Sequence, residues 1–425
     1  MEMDAERQQY LAVADALGAR LCRDAVWDGR RANWLGDSME LVDGAWQVAH
    51  RSFGPDLYGG TSGIALFLAR LYKATGEPLF RRTALGALEQ TLSRLDKLVP
   101  PFRIGVYSGL TGVAYALAQC AILLGEDRFR DAAAQAAGDL LADEIRPEAL
   151  DVVAGSAGAI PVLLGLSNLL GNGDLPDLAR KHGENLLATA RRQGDACSWA
   201  TLPAEGAALP DLTGFSHGTA GIGWGLLELA KATGEERYGE AAEGAFRYER
   251  RFFSPQHGNW PDFRGSQPGY SLAWCHGAPG IALSRARAFR LTGSEEAKRE
   301  AAVAIQTTEM GVRQSLGYGA AADFSLCHGL AGNAECAAVS ARILGNGAGT
   351  GAERDLARFG IERYHNDRAP WPCGVPGGGE NPSLMLGLAG IGHFYLRLAL
   401  PDAVPSVLMI VPEEAAAGAG EETRR

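Results

Sequence analysis

Seven times along this chain the pattern Gly-x-x-Gly is followed by an apolar run. The segments are GTSGIALFLARLY from Gly60, GLTGVAYALAQ from Gly109, GSAGAIPVLLGL from Gly155, GTAGIGWGLLELA from Gly218, GAPGIALSRARAF from Gly277, GLAGNAECAAVSARI from Gly329 and GLAGIGHFYLRLA from Gly387. Their first glycines stand 49, 46, 63, 59, 52 and 58 residues apart, long enough for two helices and two loops per unit. Sixteen residues after the first glycine, six of the seven units carry another: Gly76, Gly125, Gly171, Gly234, Gly293 and Gly345. That span holds about three helical turns and ends on the residue that adopts a left-handed conformation at least cost. A chain of 425 residues would otherwise suggest two or three domains at ~150 residues each. A repeat of this period reads instead as one large architecture. Glycine is about 13% of the chain against a usual ~7%, yet 46% of residues are hydrophobic, which excludes a disordered or collagen-like chain.

Each unit has two parts of different character. The helix opening at Gly-x-x-Gly is apolar on nearly every face, as in Ile64 to Tyr72, so it is internal. The segment after the helix-ending glycine is amphipathic with a charged face, as in GEPLFRRTALGALEQTLSRLDKL from Gly76, which is the pattern of a helix half exposed to water. Seven such pairs predict an all-α fold, an α/α toroid with seven inner and seven outer helices. The expected layout is an N-terminal helical cap over residues 1–50 that includes Tyr10 to Arg23, the seven-repeat ring over 51–412, and a disordered tail over 413–425. A net charge of −10 without a polybasic run argues against nucleic acid or an anionic membrane surface as partner. Charges break the apolar stretches well before the ~20 residues a membrane span needs, so a soluble cytoplasmic protein is expected. Seven cysteines at irregular spacing favour reduced thiols or metal ligands over a disulfide framework.

The units also place chemistry in register. The residue before each first glycine reads Gly59, Ser108, Ala154, His217, His276, His328 and Leu386, and the one before that Tyr58, Tyr107, Val153, Ser216, Cys275, Cys327 and Met385. In a ring of equivalent units these positions share one end of the central cavity. Units four to six thereby bring His217, Cys275, His276, Cys327 and His328 together. Thiolates and imidazoles at one locus suit Zn²⁺ in tetrahedral geometry. A single Cys-His pair would be read as small residues packed at a crowded helix entrance; two Cys-His-Gly sequences in register favour a metal. The spacing leaves open which three of the five are ligands. None shows the short Cys-x-x-Cys spacing of a folding zinc site, so the ion would sit on a pre-built scaffold, as catalytic zinc does.

SHGTAGI, WCHGAPGI, CHGLAGN and NPSLMLGLAGIGHFYLRLALPDAVPSVLMI resemble the lanthionine synthetase C-like cyclases, in particular the C-terminal cyclase domain of class II lanthipeptide synthetases. LGARLCRDAVWDGRRANWLGDSME and DLYGGTSGIALFLA extend the resemblance to roughly residues 10–412. It implies a zinc ion held by Cys275, Cys327 and His328, with His217 as acid/base and Asp151 as its carboxylate partner. It also implies a dehydrated precursor peptide as substrate, whose cysteines close thioether rings onto dehydroalanine or dehydrobutyrine. Class II synthetases carry a dehydratase region ahead of this domain, whereas about 55 residues precede the first repeat here; the expectation is a free-standing cyclase, or a cyclase domain alone, working with a separate dehydratase. In stand-alone cyclases an arginine lies four residues before the tryptophan-adjacent cysteine; here that position is Ser271, and His276 replaces an aromatic residue.

The chemistry is consistent on its own terms. A free thiol is only a few per cent ionised at pH 7, and metal coordination makes it a thiolate. Its addition to a dehydroalanine leaves an enolate that a histidine can protonate. Two other readings use the same residues: addition of another thiol, such as glutathione, to dehydrated residues, or a zinc-bearing scaffold that docks a dehydratase. Among the remaining residues, Cys120 and Cys336 read as core, while Cys22, Cys197 and Cys373 lack a repeat-matched partner. His393 reads as packed, and His50, His182, His257 and His365 as solvated. GNGAGTG from Gly345 reads as a flexible connection. Tyr58, Tyr107, Trp274 and Trp371 either line a peptide groove or pack.

Overall fold

The computed structural model describes residues 2–42, 45–201, 210–318, 323–345 and 351–413. Fourteen α-helices run along the described chain: α1 (Glu2–Arg23), α2 (Thr61–Thr75), α3 (Pro78–Leu92), α4 (Leu110–Leu124), α5 (Asp127–Leu141), α6 (Ser156–Leu170), α7 (Leu175–Thr189), α8 (Thr219–Thr233), α9 (Glu236–Arg250), α10 (Ala278–Thr292), α11 (Glu295–Gly317), α12 (Leu330–Ile343), α13 (Gly351–Gly360) and α14 (Leu388–Ala399). A π-helical turn, Ile361–Asn366, extends α13. The even-numbered helices pack side by side in the order α2, α4, α6, α8, α10, α12, α14, and α14 packs back on α2. That closes the inner ring. Each of these helices also packs against one outer helix, giving the α/α toroid.

The first fifty residues contribute more than the expected cap. Helix α1 packs against α14 as α3 packs against α2, so the N-terminal helix is the seventh outer helix. Antiparallel hairpins follow: β1 (Val26–Asp28) with β2 (Arg31–Asn33), and β3 (Leu35–Val42) with β4 (Ala45–Ser52). A third joins β5 (Arg191–Gln193) to β6 (Ala196–Ser198). Except for Glu413, the tail expected to be disordered lies outside the described residues, as does most of GNGAGTG.

The repeated glycines have a steric cause. In each loop before an inner helix the chain folds back onto the first helical turn, and in five of the seven the amide of the second glycine donates to a carbonyl seven residues earlier, as Gly112 does to Gly105 and Gly332 to Ser325. A Cβ on Gly112 would stand 1.5 Å from the Val106 carbonyl oxygen, and the equivalent atoms on Gly63, Gly158, Gly221, Gly280, Gly332 and Gly390 would stand 1.8 to 2.2 Å from theirs. No side chain fits there. At the other end, Gly76, Gly125, Gly171, Gly234 and Gly293 close their helices with φ between 65° and 74°, the left-handed region that favours glycine.

The lumen of the ring is filled by the segment that follows α14. Val404, Val407, Leu408, Met409, Ile410 and Val411 are buried. The segment is held from around the ring: Arg70 Nη1 of α2 donates to the Pro405 carbonyl (3.1 Å), Tyr107 Oη to Val407 (2.7 Å), Trp274 Nε1 to Leu408 (2.8 Å) and Arg397 Nε of α14 to Val404 (3.1 Å), while Ser406 Oγ donates to Glu335 of α12 (2.5 Å). These donors and acceptors come from five units, so the strap runs through the centre. Tyr107 and Trp274 are thereby packing residues, as is Trp371, which is buried against Phe324 and Tyr395.

Candidate active site

Backbone hydrogen bonds link the seven helix-entry loops into a near-complete circle. Cys327 donates to Met385 (2.9 Å), Met385 to Tyr58 (2.9 Å), Tyr58 to Tyr107 (2.8 Å), Tyr107 to Val153 (3.0 Å), Val152 to Ser216 (3.0 Å) and Ser216 to Cys275 (3.2 Å). Among the described residues no backbone bond closes the circle between Cys275 and Cys327. The buried thiols of Cys275 and Cys327 lie at that gap instead and influence each other's ionisation. The hydrogen bond from Cys327 lowers the pKa of Cys275 against the effect of burial, and the positive charges of Arg264, His328 and His217 act in the same direction. Cys327 is raised well above the ordinary thiol range by its bond to Cys275 and by burial, although Tyr58 also hydrogen-bonds to it. One thiol therefore ionises readily and the second reluctantly.

The two histidines flanking this gap are each bound to a carboxylate. His217 Nδ1 lies 2.6 Å from Asp151 Oδ2, and the other Asp151 oxygen accepts the Ala154 amide at 2.7 Å. Burial disfavours a charged His217, but the Asp151 hydrogen bond and charge, with a contribution from Cys275, outweigh it and raise its pKa. His328 is bound through Nδ1 to Asp323, which likewise raises its pKa against burial. In both rings Nδ1 is taken, and among the described residues Nε2 has no partner. His276 is different. It is 1% exposed, among the described residues neither ring nitrogen has a hydrogen-bond partner, its ring centroid lies 5.9 Å from that of His217, and burial followed by the Arg264 charge lowers its pKa to about 3. All five residues singled out by the repeat register thus lie together.

Outer elements fix the loops that carry them. Glu249 of α9, fully buried and paired with Arg285 of α10 at 2.7 Å, accepts the amides of Gly214 (2.8 Å) and Ala220 (3.0 Å) and so pins the turn bearing His217. Asn259 spans the loop bearing Cys275 and His276, accepting the Ala278 amide (2.7 Å) and donating to the carbonyls of Tyr270 (3.0 Å) and Ser271 (3.3 Å).

The sequence profile described as "Lanthionine synthetase C-like protein" matches residues 51–409. The chain belongs to the lanthionine synthetase C-like family. It is 24% identical over 318 residues to the lacticin 481/lactococcin biosynthesis protein LcnDR2 of Lactococcus lactis subsp. lactis, covering 71% of this chain and only 31% of that protein. It is 24% identical over 296 residues to glutathione S-transferase LANCL1 of Danio rerio, covering 65% of this chain and 67% of that one. The fold matches that of nisin cyclase with a TM-score of 0.62 at 17% identity, over 87% of this chain and 95% of the other.

In this lanthionine synthetase C-like chain the donors suit a thiophilic metal by their chemistry. Two buried thiols act on each other's ionisation, and the imidazole of His328 has Nδ1 held by a carboxylate and, among the described residues, Nε2 left over, the usual outer-shell arrangement of a ligating histidine. As placed, no three His, Cys, Asp or Glu side chains among the described residues stand in a geometry that would hold an ion. Ser271 is exposed at the position where stand-alone cyclases carry arginine.

Three site residues escaped the sequence reading. Asp323 lies six residues before a first glycine, but the equivalent residues in the other units, Gly54, Arg103, Ala149, Leu212, Ser271 and Asn381, share no chemistry that would have raised it. Asp262 and Arg264 lie on the segment between α9 and the next unit, outside any register. The expectation for His182 is corrected: it is 3% exposed on the inward face of α7, bonded to Ser156 Oγ at 3.0 Å, with burial lowering its pKa to about 4. His393 is packed as expected, against Arg70. Among the described residues no helix is long and apolar enough to cross a membrane.

Proposed function

We propose that this chain is a zinc-dependent cyclase that adds cysteine thiols of a dehydrated precursor peptide to dehydroalanine or dehydrobutyrine, forming lanthionine and methyllanthionine. The reading is supported by one observation: a histidine bonded to a carboxylate, the His217–Asp151 pair, lies beside two buried cysteines that flank the one gap in the backbone circle among the described residues. Cys275, Cys327 and His328 would hold the ion. Bound there, zinc would supply the positive charge that converts an incoming thiol to thiolate near neutral pH.

The protein's own groups account for the remaining steps. As sulfur bonds to Cβ, the alkene electron pair moves toward the adjoining amide and negative charge builds on its oxygen. His217, protonated because Asp151 stabilises its charged form, delivers a proton from Nε2 to Cα. It regains a proton equivalent to the one the thiol lost, so the reaction needs no other reactant. Asp151 fixes the tautomer and orientation of the ring through Nδ1. The dehydrated substrate implies a separate dehydratase as supplier. The test is incubation of the zinc-loaded protein with a dehydrated peptide followed by thiol alkylation and mass spectrometry. Rings form without mass change and remove alkylatable thiols.

A second reading is favoured by one observation, the similarity to a protein named glutathione S-transferase. The same residues would then add glutathione to a dehydrated residue. A product heavier by one glutathione, in place of an internal ring, would identify it.

A further inference from the structure

A cavity of about 730 Å³ lies between α1 and the segment that leaves α13. Ala16, Arg20 and Arg23, four and three residues apart and so on one face of α1, form one wall. The other wall is the end of the π-helical turn Ile361–Asn366, followed by Arg368 and Trp371. Glu380 joins the two: its Oε1 accepts the Trp371 amide at 2.9 Å and its Oε2 pairs with Arg20 Nη2. Three arginines thus line the cavity against one carboxylate, in a chain whose net charge is −10. Arg23 turns Nε and Nη2 to its neighbour Asp24, at 2.7 and 2.9 Å, and remains 68% exposed. Arg368 has no hydrogen-bond or ion-pair partner among the described residues.

The backbone at Arg368 points the same way. It is the one described non-glycine residue with a positive φ, 55°. Glycine adopts that conformation at no steric cost, so a turn needed only for its shape has no use for an unpaired arginine there. The π-helical turn two residues earlier is a second departure from regular backbone, of a kind that gathers at functional sites. The same segment leads to the candidate active site. Trp371 is buried at the cavity wall, the Pro372 carbonyl accepts the Phe324 amide at 2.8 Å, and the Gly374 amide donates to Leu386 at 2.8 Å. Gly374 lies so close to His328 that a Cβ on it would stand 2.8 Å from Cε1 of that ring. Six residues separate Arg368 from Gly374, a span of at most about 22 Å even when fully extended.

We propose that this cavity is a docking site for an acidic segment of the precursor peptide, held there while residues further along the same peptide react. The proposal rests on the thiol-addition reading above and adds to it a second, non-reacting contact with the substrate. Carboxylates of the peptide pair with the free guanidinium edges of Arg368 and Arg23, and Arg20, fixed by Glu380, shapes the wall between them. Tethering the peptide within about 22 Å of His328 raises the effective concentration of its cysteines at the thiol-binding centre without any new contact there.

The experiment uses the full chain loaded with zinc and two labelled peptides. Each carries one cysteine and one dehydroalanine, then a spacer of about eight residues, long enough to exceed that span; one ends in a run of glutamates and the other in the same number of glutamines. Fluorescence anisotropy is expected to show the glutamate peptide bound roughly tenfold more tightly or better, with the difference shrinking as salt is added. Arg368→Gly and Arg23→Gln should each reduce that preference several-fold. Because Arg368→Gly relieves a left-handed conformation, its melting midpoint should not fall; if it does, Arg23→Gln, on the exposed surface of α1, decides. Equal affinity for the two peptides, or a preference that survives both substitutions, overturns the proposal. Displacement of the glutamate peptide by an equal concentration of inorganic phosphate would make this a small-anion site and also overturns it. Binding is read without turnover, so an arginine-dependent preference in a protein that closes no ring refutes the functional reading alone, and ring closure in both peptides at equal affinity refutes the docking site alone.

Discussion

Replacing Asp151 by Asn removes a negative charge while keeping an oxygen that can face His217 Nδ1, 2.6 Å away in the wild type. Burial already works against a charged His217, and Asp151 is the main influence that overcomes it. A hydrogen bond to a charged group contributes about 1.5 to 3 kcal/mol, so its loss should lower the His217 pKa. The sign follows from the charge: the acid form of the ring is the one that loses support. Above the wild-type pKa the protonated fraction, and the rate with it, should fall roughly 10- to 100-fold, with the alkaline limb of the profile displaced toward acid. Two assays bear on this independently. The pH dependence of kcat in wild type and Asp151→Asn reports the working acid, and NMR titration of the His217 ring proton reports its pKa without turnover. An unchanged or raised His217 pKa in Asp151→Asn would refute the argument.

Three further outcomes follow. His217→Ala should reduce ring formation by at least 100-fold while zinc stays near one equivalent by metal analysis; loss of zinc would make His217 a ligand. His182, with a folded pKa of about 4 against 6.5 unfolded, should cost the fold about 3 kcal/mol as pH falls through that window, because the unfolded chain binds a proton that the native state refuses. Urea titrations at pH 7 and pH 4 should show a smaller drop for His182→Asn than for wild type, and equal drops would contradict the burial argument. Leu408→Ala, deleting a fully buried side chain of the central strap, should lower stability by about 2 to 5 kcal/mol; a loss below ~1 kcal/mol would mean the strap does not pack as described.

Much of the ring was legible because its cause is local. A Cβ at Gly112 would overlap the Val106 carbonyl, and the same overlap in every unit writes Gly-x-x-Gly into the sequence seven times. Completion of the outer layer by α1 was not legible, since that helix lacks the signature and meets its partner α14 from the opposite end of the chain. The strap at 404–411 is apolar without a period, so nothing local distinguishes lumen filler from tail. His182 looked solvated because Arg180, Lys181 and Glu184 surround it in sequence, yet it shares the buried face of α7 with Leu178, Ala179 and Leu186. The same division holds at the site. Cys275, Cys327, His217 and His328 stand in repeat register, whereas Arg264 arrives on an irregular loop that only the folded chain brings near them.

The central claim is that this assembly joins a peptide thiol to a dehydrated residue. It is tested most directly by co-expressing a dehydrated precursor peptide with the wild-type protein or with Cys327→Ala, alkylating the products and counting free thiols by mass spectrometry. Loss of free thiols with wild type at unchanged peptide mass, and their retention with Cys327→Ala, is the predicted result. Thiols that remain alkylatable with the wild-type protein, zinc bound, would contradict it.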